Sequence, residues 1–209
     1  MGLEADPAPA APLRTGLFGG TFDPPHAGHV SVASDVANAL ELDRLLWIPS
    51  GQAPHKPSAP AASAAARLEM VQAAVTGDSR FEICDLELVR DGPSFTIDTV
   101  RELRATNPDD AFFLIIGADL YGDFASWRSP DELLGLVELV VVDRGGVGGE
   151  SISPETPGAD QVRFVPVRRI DISATQVRDA ILAGLDIDGL VAESVAEVIA
   201  RRGLYQPNE

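Results

Sequence analysis

Apolar positions along the chain form two kinds of stretch that alternate from end to end. Short runs such as Arg14–Phe18, Arg44–Ile48, Ala111–Ile116, Leu139–Val142 and Val162–Val167 are too brief for helices. The second and third of these are apolar throughout, as strands buried on both faces are. Phe81–Leu88 alternates in part and reads as a further strand, broken by Asp91-Gly92-Pro93. Between the runs lie stretches with helical spacing. Ala27–Leu42 places Val30, Ala33, Ala37 and Leu40 on one stripe. Ser63 is placed to cap a helix through Val75, with Leu68, Val71 and Val75 inward, and Ser94 to cap one that Asn107-Pro108 stops after Thr106. Ser129-Pro130-Asp131-Glu132 opens a short helix with proline and acids in its first turn. Ser173-Ala174-Thr175-Gln176 and Ser194-Val195-Ala196-Glu197 both match the capping box. Strands separated by helices predict an α/β fold: a parallel sheet covered on both faces, without internal repeat or second domain.

In such a sheet ligands bind beyond the carboxyl ends of the strands, where strand order reverses. The chemically apt stretches all fall on that edge. The first is Gly19-Gly20-Thr21-Phe22-Asp23-Pro24-Pro25-His26-Ala27-Gly28-His29, a glycine turn leading from a strand into the first turn of a helix. Unpaired N–H groups and the helix dipole make that turn a place to hold phosphate, and histidines three residues apart reach the same anion. The others are the proline-rich loop Ser50–Ala62 with its His55-Lys56 pair, Gly117-Ala118-Asp119, Arg144, and the helix start at Ser173. Arg144–Gln161, with five glycines and two prolines, reads as a long mobile loop.

Composition narrows the function. The 209 residues are 45% hydrophobic and 23% charged, with no apolar run near the roughly 20 residues of a membrane span. Residues 1–12, MGLEADPAPAAP, lack the basic start and apolar core of a secretory signal and read as a disordered extension. The single cysteine, Cys84, fits a reducing, cytoplasmic setting and a structural role in a strand. A net charge of −16 argues against nucleic acid as a partner. Against that acidic background the one lysine and all three histidines, His26, His29, His55 and Lys56, cluster between positions 26 and 56.

Zinc is disfavoured for the histidines because three or four ligands are needed at one centre and no HExxH or CxxC spacing exists. The glycine turn matches neither GxxxxGK[ST] nor GxGxxG, which disfavours Walker and dinucleotide-type sites. Asp23 reads as a brace for the turn. Asp171 to Arg178 offers a second helix start, with the hydroxyls of Ser173 and Thr175 and an arginine able to lean back towards an anion; alone it is equally a plain capping box. Trp127 is equally a core residue and an aromatic platform beside a bound ring.

GGTFDPPHAGH together with ISATQVR resembles the nucleotidyltransferases with an HxGH signature, and within them the bacterial nicotinate-nucleotide adenylyltransferases. Pro54-His55-Lys56, Arg67 to Met70, Pro93 to Thr96, Ile116 to Asp119, Trp127 and Gly203-Leu204-Tyr205 occur in that family's order, so the resemblance spans about residues 14–205. It implies one Rossmann-like, doubly wound domain of the nucleotidyltransferase type over residues 13–206. It also implies adenylyl transfer from ATP to nicotinate mononucleotide, giving nicotinate adenine dinucleotide and pyrophosphate. By resemblance His26, His29, Ser173, Thr175 and Arg178 hold the ATP phosphates, while Gly19, Gly20, Thr21 and Phe22 line the nucleotide cleft. His55 and Lys56 meet the mononucleotide phosphate, and Thr96 and Trp127 hold the pyridine ring and its carboxylate. Asp119 lies near the dinucleotide ribose, and Gly117 is a further candidate for binding the substrate. Where the family carries Arg-Pro-Gly, this chain reads Arg144-Gly145-Gly146, with Arg144 still a candidate for the substrate. Mg²⁺ is expected on the ATP phosphates rather than in a protein cage. The sister transferase acting on phosphopantetheine, and a nucleotide sensor without turnover, are the competing readings. A homo-oligomer stays open.

Overall fold

A computed structural model describes residues 11–52, 59–143 and 162–207. Six strands, β1 (Arg14–Gly20), β2 (Arg44–Pro49), β3 (Phe81–Ile83), β4 (Ala111–Gly117), β5 (Glu138–Asp143) and β6 (Arg163–Pro166), form one sheet in the order β3-β2-β1-β4-β5-β6. Every neighbouring pair is parallel. The chain runs outward from β1 through β2 to β3, then crosses back to lay β4 on the other side of β1. The strand order therefore reverses between β1 and β4, where Leu17 is in register with both Leu46 and Leu114.

Side chains alternate across the sheet and so feed two separate cores. On one face Phe18, Leu45, Trp47, Phe113, Ile115 and Val140 meet Val32, Ala33, Val36, Ala37 and Leu40 of and just after α1 (Ala27–Ala39). On the other, Leu17, Leu46, Leu114, Ile116 and Val141 meet Ile97, Val100 and Leu103 of α4 (Thr96–Thr106) and Leu133 of α6 (Pro130–Leu136). A third cluster lies outside the sheet. There Ala66, Met70 and Ala74 of α2 (Ala64–Ala74) pack with Val177 of α7 (Ala174–Leu182) and with Val195, Val198 and Ile199 of α8 (Glu193–Arg202). Salt bridges from Glu69 to Arg201 and Arg202 join α2 to α8 on the surface.

Several local expectations need correction. The stretch expected as one strand over Phe81–Leu88 is β3 followed by the four-residue α3 (Leu86–Val89). Beyond Cys84, whose N–H still donates to the Trp47 carbonyl, the sheet edge is taken by a bridge between Gln52 and Pro93. Ser94 does not cap α4. The capping residue is Phe95, and the Ser94 hydroxyl donates instead to the Glu87 carbonyl. Ser194 is likewise inside α8, which starts after Ala192, and its hydroxyl donates to the Ala73 carbonyl of α2. The buried face of α2 is Ala66, Arg67, Met70, Val71 and Ala74, with Leu68 and Val75 only half-buried, because this helix is covered by both the sheet and α8. A short helix not expected from the pattern, α5 (Ala118–Gly122), follows β4 directly. The proposed N-terminal extension, save residues 11 and 12, and the loop 144–161 lie outside the described residues.

Candidate active site

The turn after β1 is built on an aromatic floor. Phe22 takes a left-handed φ of 50° and is 2% exposed. Its ring packs 5.0 Å from Trp47 and 5.1 Å from His29, with Phe18 at 5.7 Å. A side chain buried this way supports the turn from beneath, and its backbone is the part left for a ligand. Gly20 is the position where that floor demands glycine, since a Cβ would lie 2.8 Å from the Phe22 ring. Gly19 is exposed, with open space where a side chain would be.

His26 caps α1 with extended backbone, and its own N–H donates to His29 Nδ1 at 3.2 Å. An Nδ1 that accepts from an N–H leaves Nε2 as the protonated nitrogen of the neutral His29 ring. The two rings stack with centroids 3.7 Å apart. No acid occupies the first turn of α1, so its dipole is not neutralised from within. The Ala27 N–H donates to the Leu190 carbonyl, tying the helix start to the segment before α8.

The second helix start lies against the first. Ser173 caps α7 through a complete capping box, its Oγ accepting from the Gln176 N–H while its own N–H donates to Gln176 Oε1. Ser173 and Thr175 are exposed. Arg178 reaches out of α7 to donate from Nη1 to the Asp23 carbonyl at 2.7 Å and from Nη2 to Thr175 Oγ1 at 3.1 Å. The lead-in to α7 is held by Arg168, whose N–H and guanidinium both bind the Asp35 carboxylate on α1. Those contacts outweigh the upward push of burial and keep the Asp35 carboxyl below its ordinary value.

Beneath the two helix starts is a buried polar node. Asp23, 6% exposed, accepts from the N–H groups of Ala61 (2.7 Å) and Ala62 (3.0 Å) and from the Tyr205 hydroxyl (2.8 Å). Arg67, 2% exposed, donates from Nη1 to the Thr21 carbonyl at 2.8 Å. Burial lowers the Arg67 guanidinium's proton affinity, and Asp23 and Tyr205 work against that. Burial and the bond to Asp23 push the Tyr205 phenol upward, so it stays a donor. The brace expected of Asp23 is present. Arg67 and Tyr205 carry no role in the sequence reading; an arginine on the apolar face of α2, beside Met70 and Val71, was the available signal.

The remaining candidates sit across the same edge. Thr96 is the first residue of α4 and half-buried. Trp127 is half-buried on Phe124, ring centroids 5.4 Å apart. The two segments touch through the Arg128 guanidinium, which covers the Phe95 ring at 4.7 Å and pairs with Asp98. Asp119 is exposed and turned back over Gly117, where a Cβ would meet Asp119 Oδ1 at 2.4 Å. His55, Lys56 and Arg144 lie outside the described residues. Cys84 is buried, and burial raises its thiol, as suits a structural cysteine. Among the described residues no three histidine, cysteine or acidic side chains gather as metal ligands. Nor is any described helix long and apolar enough to cross a membrane.

Two helix starts linked by the Arg178 bond to Asp23, the first of them at the switch point of a parallel sheet, carry histidines, hydroxyls and an arginine and suit group transfer between phosphates. That is the class of the nucleotidyltransferases. A cytidylyltransferase-like family model matches residues 17–180. A protein of Shouchella clausii named a probable nicotinate-nucleotide adenylyltransferase is 43% identical over 93% of this chain and 98% of its own. One of Salinibacter ruber with the same name is 38% identical over 94% of this chain and all of its own. The chain belongs to the nicotinate-nucleotide adenylyltransferases of the cytidylyltransferase-like family. The solved nicotinic acid mononucleotide adenylyltransferase of Plasmodium falciparum, complexed with NaAD, shares the fold at a TM-score of 0.75 and 19% identity, covering 92% of this chain and 97% of that one.

Proposed function

We propose that this protein transfers the adenylyl group of ATP to nicotinate mononucleotide, releasing pyrophosphate and forming nicotinate adenine dinucleotide, in the cytoplasm. The observation that carries the chemistry is the bond from Arg178 to the Asp23 carbonyl, which sets the α7 start against the His26–His29 turn. A phosphate oxygen of the mononucleotide attacks the α-phosphorus of ATP, a new P–O bond forms, and the bond to the pyrophosphate oxygen breaks. The attacking oxygen is already an anion, so no general base is required. The protein's work is alignment and charge neutralisation.

The Nε2–H of His29 and the His26 ring serve the ATP phosphates together with the positive end of the α1 dipole, which no acid in the first turn offsets. From the other side Ser173, Thr175 and the Arg178 guanidinium meet the pyrophosphate as it departs. Gly19 and Gly20 let the nucleotide approach the backbone. On the acceptor side Trp127 offers its face to the pyridine ring, with Thr96 at the positive end of α4 near the ring's carboxylate. His55, Lys56 and Arg144 are candidates for the mononucleotide phosphate, and Gly117 and Asp119 for the ribose. Mg²⁺ supplies charge neutralisation on the pyrophosphate oxygens when bound. Asp23, the acid of the turn, is committed to Ala61, Ala62 and Tyr205, so the ion would be held by phosphates and water.

Pyrophosphate release from ATP and Mg²⁺, with nicotinate mononucleotide, nicotinamide mononucleotide and phosphopantetheine as rival acceptors, tests the reading. Turnover is expected with the nicotinate compound. Turnover with phosphopantetheine alone would identify the sister transferase, and ATP binding without any turnover would identify a sensor.

A further inference from the structure

The turn after α8 is 182 residues from Asp23 in sequence yet meets it inside the protein. We infer that Asp23 and Tyr205 are a positioning pair for the adenylyl transfer proposed above, acting through Arg178. Asp23 is engaged at both ends: its carboxylate by Tyr205 and the Ala61 and Ala62 N–H groups, its carbonyl by Arg178. The chain two residues earlier is held as well, because Arg67 donates to the Thr21 carbonyl. The stretch Thr21–Asp23 is therefore gripped on both sides, and the arginine that serves the phosphates is aimed by the carbonyl of the gripped residue.

Tyr205 reaches this place at a cost in backbone conformation. Its φ is 61°, in the left-handed region, directly after the α8 cap formed by Gly203 at 59° and Leu204. A tyrosine held in a sparsely populated conformation, with its hydroxyl on a buried carboxylate, is a feature the surroundings must enforce. Losing the hydroxyl removes one of the three hydrogen bonds that, among the described residues, orient the Asp23 side chain, and the carbonyl two bonds from its Cβ is then free to shift from Arg178. Small displacements of a charge-stabilising group lower rate more than binding. Tyr205 touches no reacting atom in this scheme, so its whole effect passes through Arg178.

A double-mutant cycle reads that dependence directly. Tyr205→Phe is expected to lower kcat about tenfold while leaving the KM for the pyridine nucleotide within about twofold. In an Arg178→Ala background the same change is expected to lower kcat by less than about twofold, because there is no guanidinium left to aim. Equal losses in both backgrounds, or an unchanged kcat for Tyr205→Phe, overturn the inference while the proposed activity stands. A wild-type protein with no adenylyl transfer overturns the activity and the inference together. Thermal melting checks that each variant is folded. If Tyr205→Phe is not, Arg67→Lys, which keeps charge beside Asp23 but loosens the Thr21 carbonyl, goes through the same cycle with the same criteria.

Discussion

The imidazole rings of His26 and His29 are stacked 3.7 Å apart, with planes 33° from parallel, and the His26 N–H is bonded to His29 Nδ1. With Nδ1 accepting that bond, the neutral His29 ring carries its proton at Nε2, so the bond fixes which nitrogen donates to a ligand. A donor oriented in advance suits a site that must stabilise more negative charge in the transition state than in the ground state.

Replacing His29 by Ala removes one such contact. A loss of about 3 kcal/mol, as for a single oxyanion-stabilising donor, corresponds to about a hundredfold fall in kcat. Steady-state kinetics of pyrophosphate release measure it. A variant that keeps most of its activity would show that His29 caps the helix and nothing more.

Trp127 rests on Phe124, in the segment that follows β4 and α5. Trp127→Ala is expected to raise the KM for the pyridine nucleotide by up to about tenfold, the worth of one aromatic stacking contact. The KM for ATP should stay nearly unchanged. Equal rises for both substrates would place Trp127 in the support of the fold.

Much of this arrangement was readable from the chain, for a physical reason. Runs such as Ala111–Ile116 and Leu139–Val142 are buried on both sides, so their composition announces a central parallel strand regardless of context. The two helix starts at His26 and Ser173 carry their capping chemistry within four residues. What escaped notice depends on partners far away in sequence. Ser94 and Ser194 have the composition of caps, but tertiary acceptors, the Glu87 and Ala73 carbonyls, claim their hydroxyls. Phe22 sits in a glycine-rich turn that suggests exposure, and the proximity of Trp47 and His29 that buries it is not local. Arg67 and Tyr205 acquire meaning only once α2 and the turn after α8 lie beside Asp23.

Gly51 offers a test of how the loop after β2 is anchored. A Cβ there would lie 2.1 Å from the Glu87 carbonyl oxygen, backbone against backbone. The Gly51 N–H also supports the Glu87 carboxylate, whose proton affinity burial raises. Gly51→Ala is expected to cost about 2 kcal/mol of stability, as overpacking does, measured by denaturant unfolding. Because the same loop leads on to His55 and Lys56, the KM for the pyridine nucleotide should rise in parallel. An alanine variant of wild-type stability would show that the loop can slide.

Asp110 provides a pH-dependent check far from the site. Burial pushes its carboxyl up, but bonds from the Leu13 N–H, Thr15 and Arg44 prevail and hold it below its ordinary 3.8. A folded-state value below the unfolded one contributes stability above the unfolded value, and that contribution is lost as pH falls through the folded one. Asp110→Asn should therefore destabilise by about 2 kcal/mol at pH 7, in line with hydrogen bonds to a charged group. The gap between wild type and variant should close progressively below 3.8. Urea titrations at a series of pH values measure it, and a gap independent of pH would rule the carboxylate's charge out as its source.

The contact between Tyr205 and Asp23 also bears on how the protein folds. It closes a loop of 182 residues, and the Arg168–Asp35 and Arg178–Asp23 contacts close loops of 133 and 155. Contacts between such distant segments form late, since the chain must lose the entropy of closing those loops before gaining them. The candidate site is thus expected to be among the last parts to be assembled. On refolding from denaturant, helical signal should return before adenylyl transfer does.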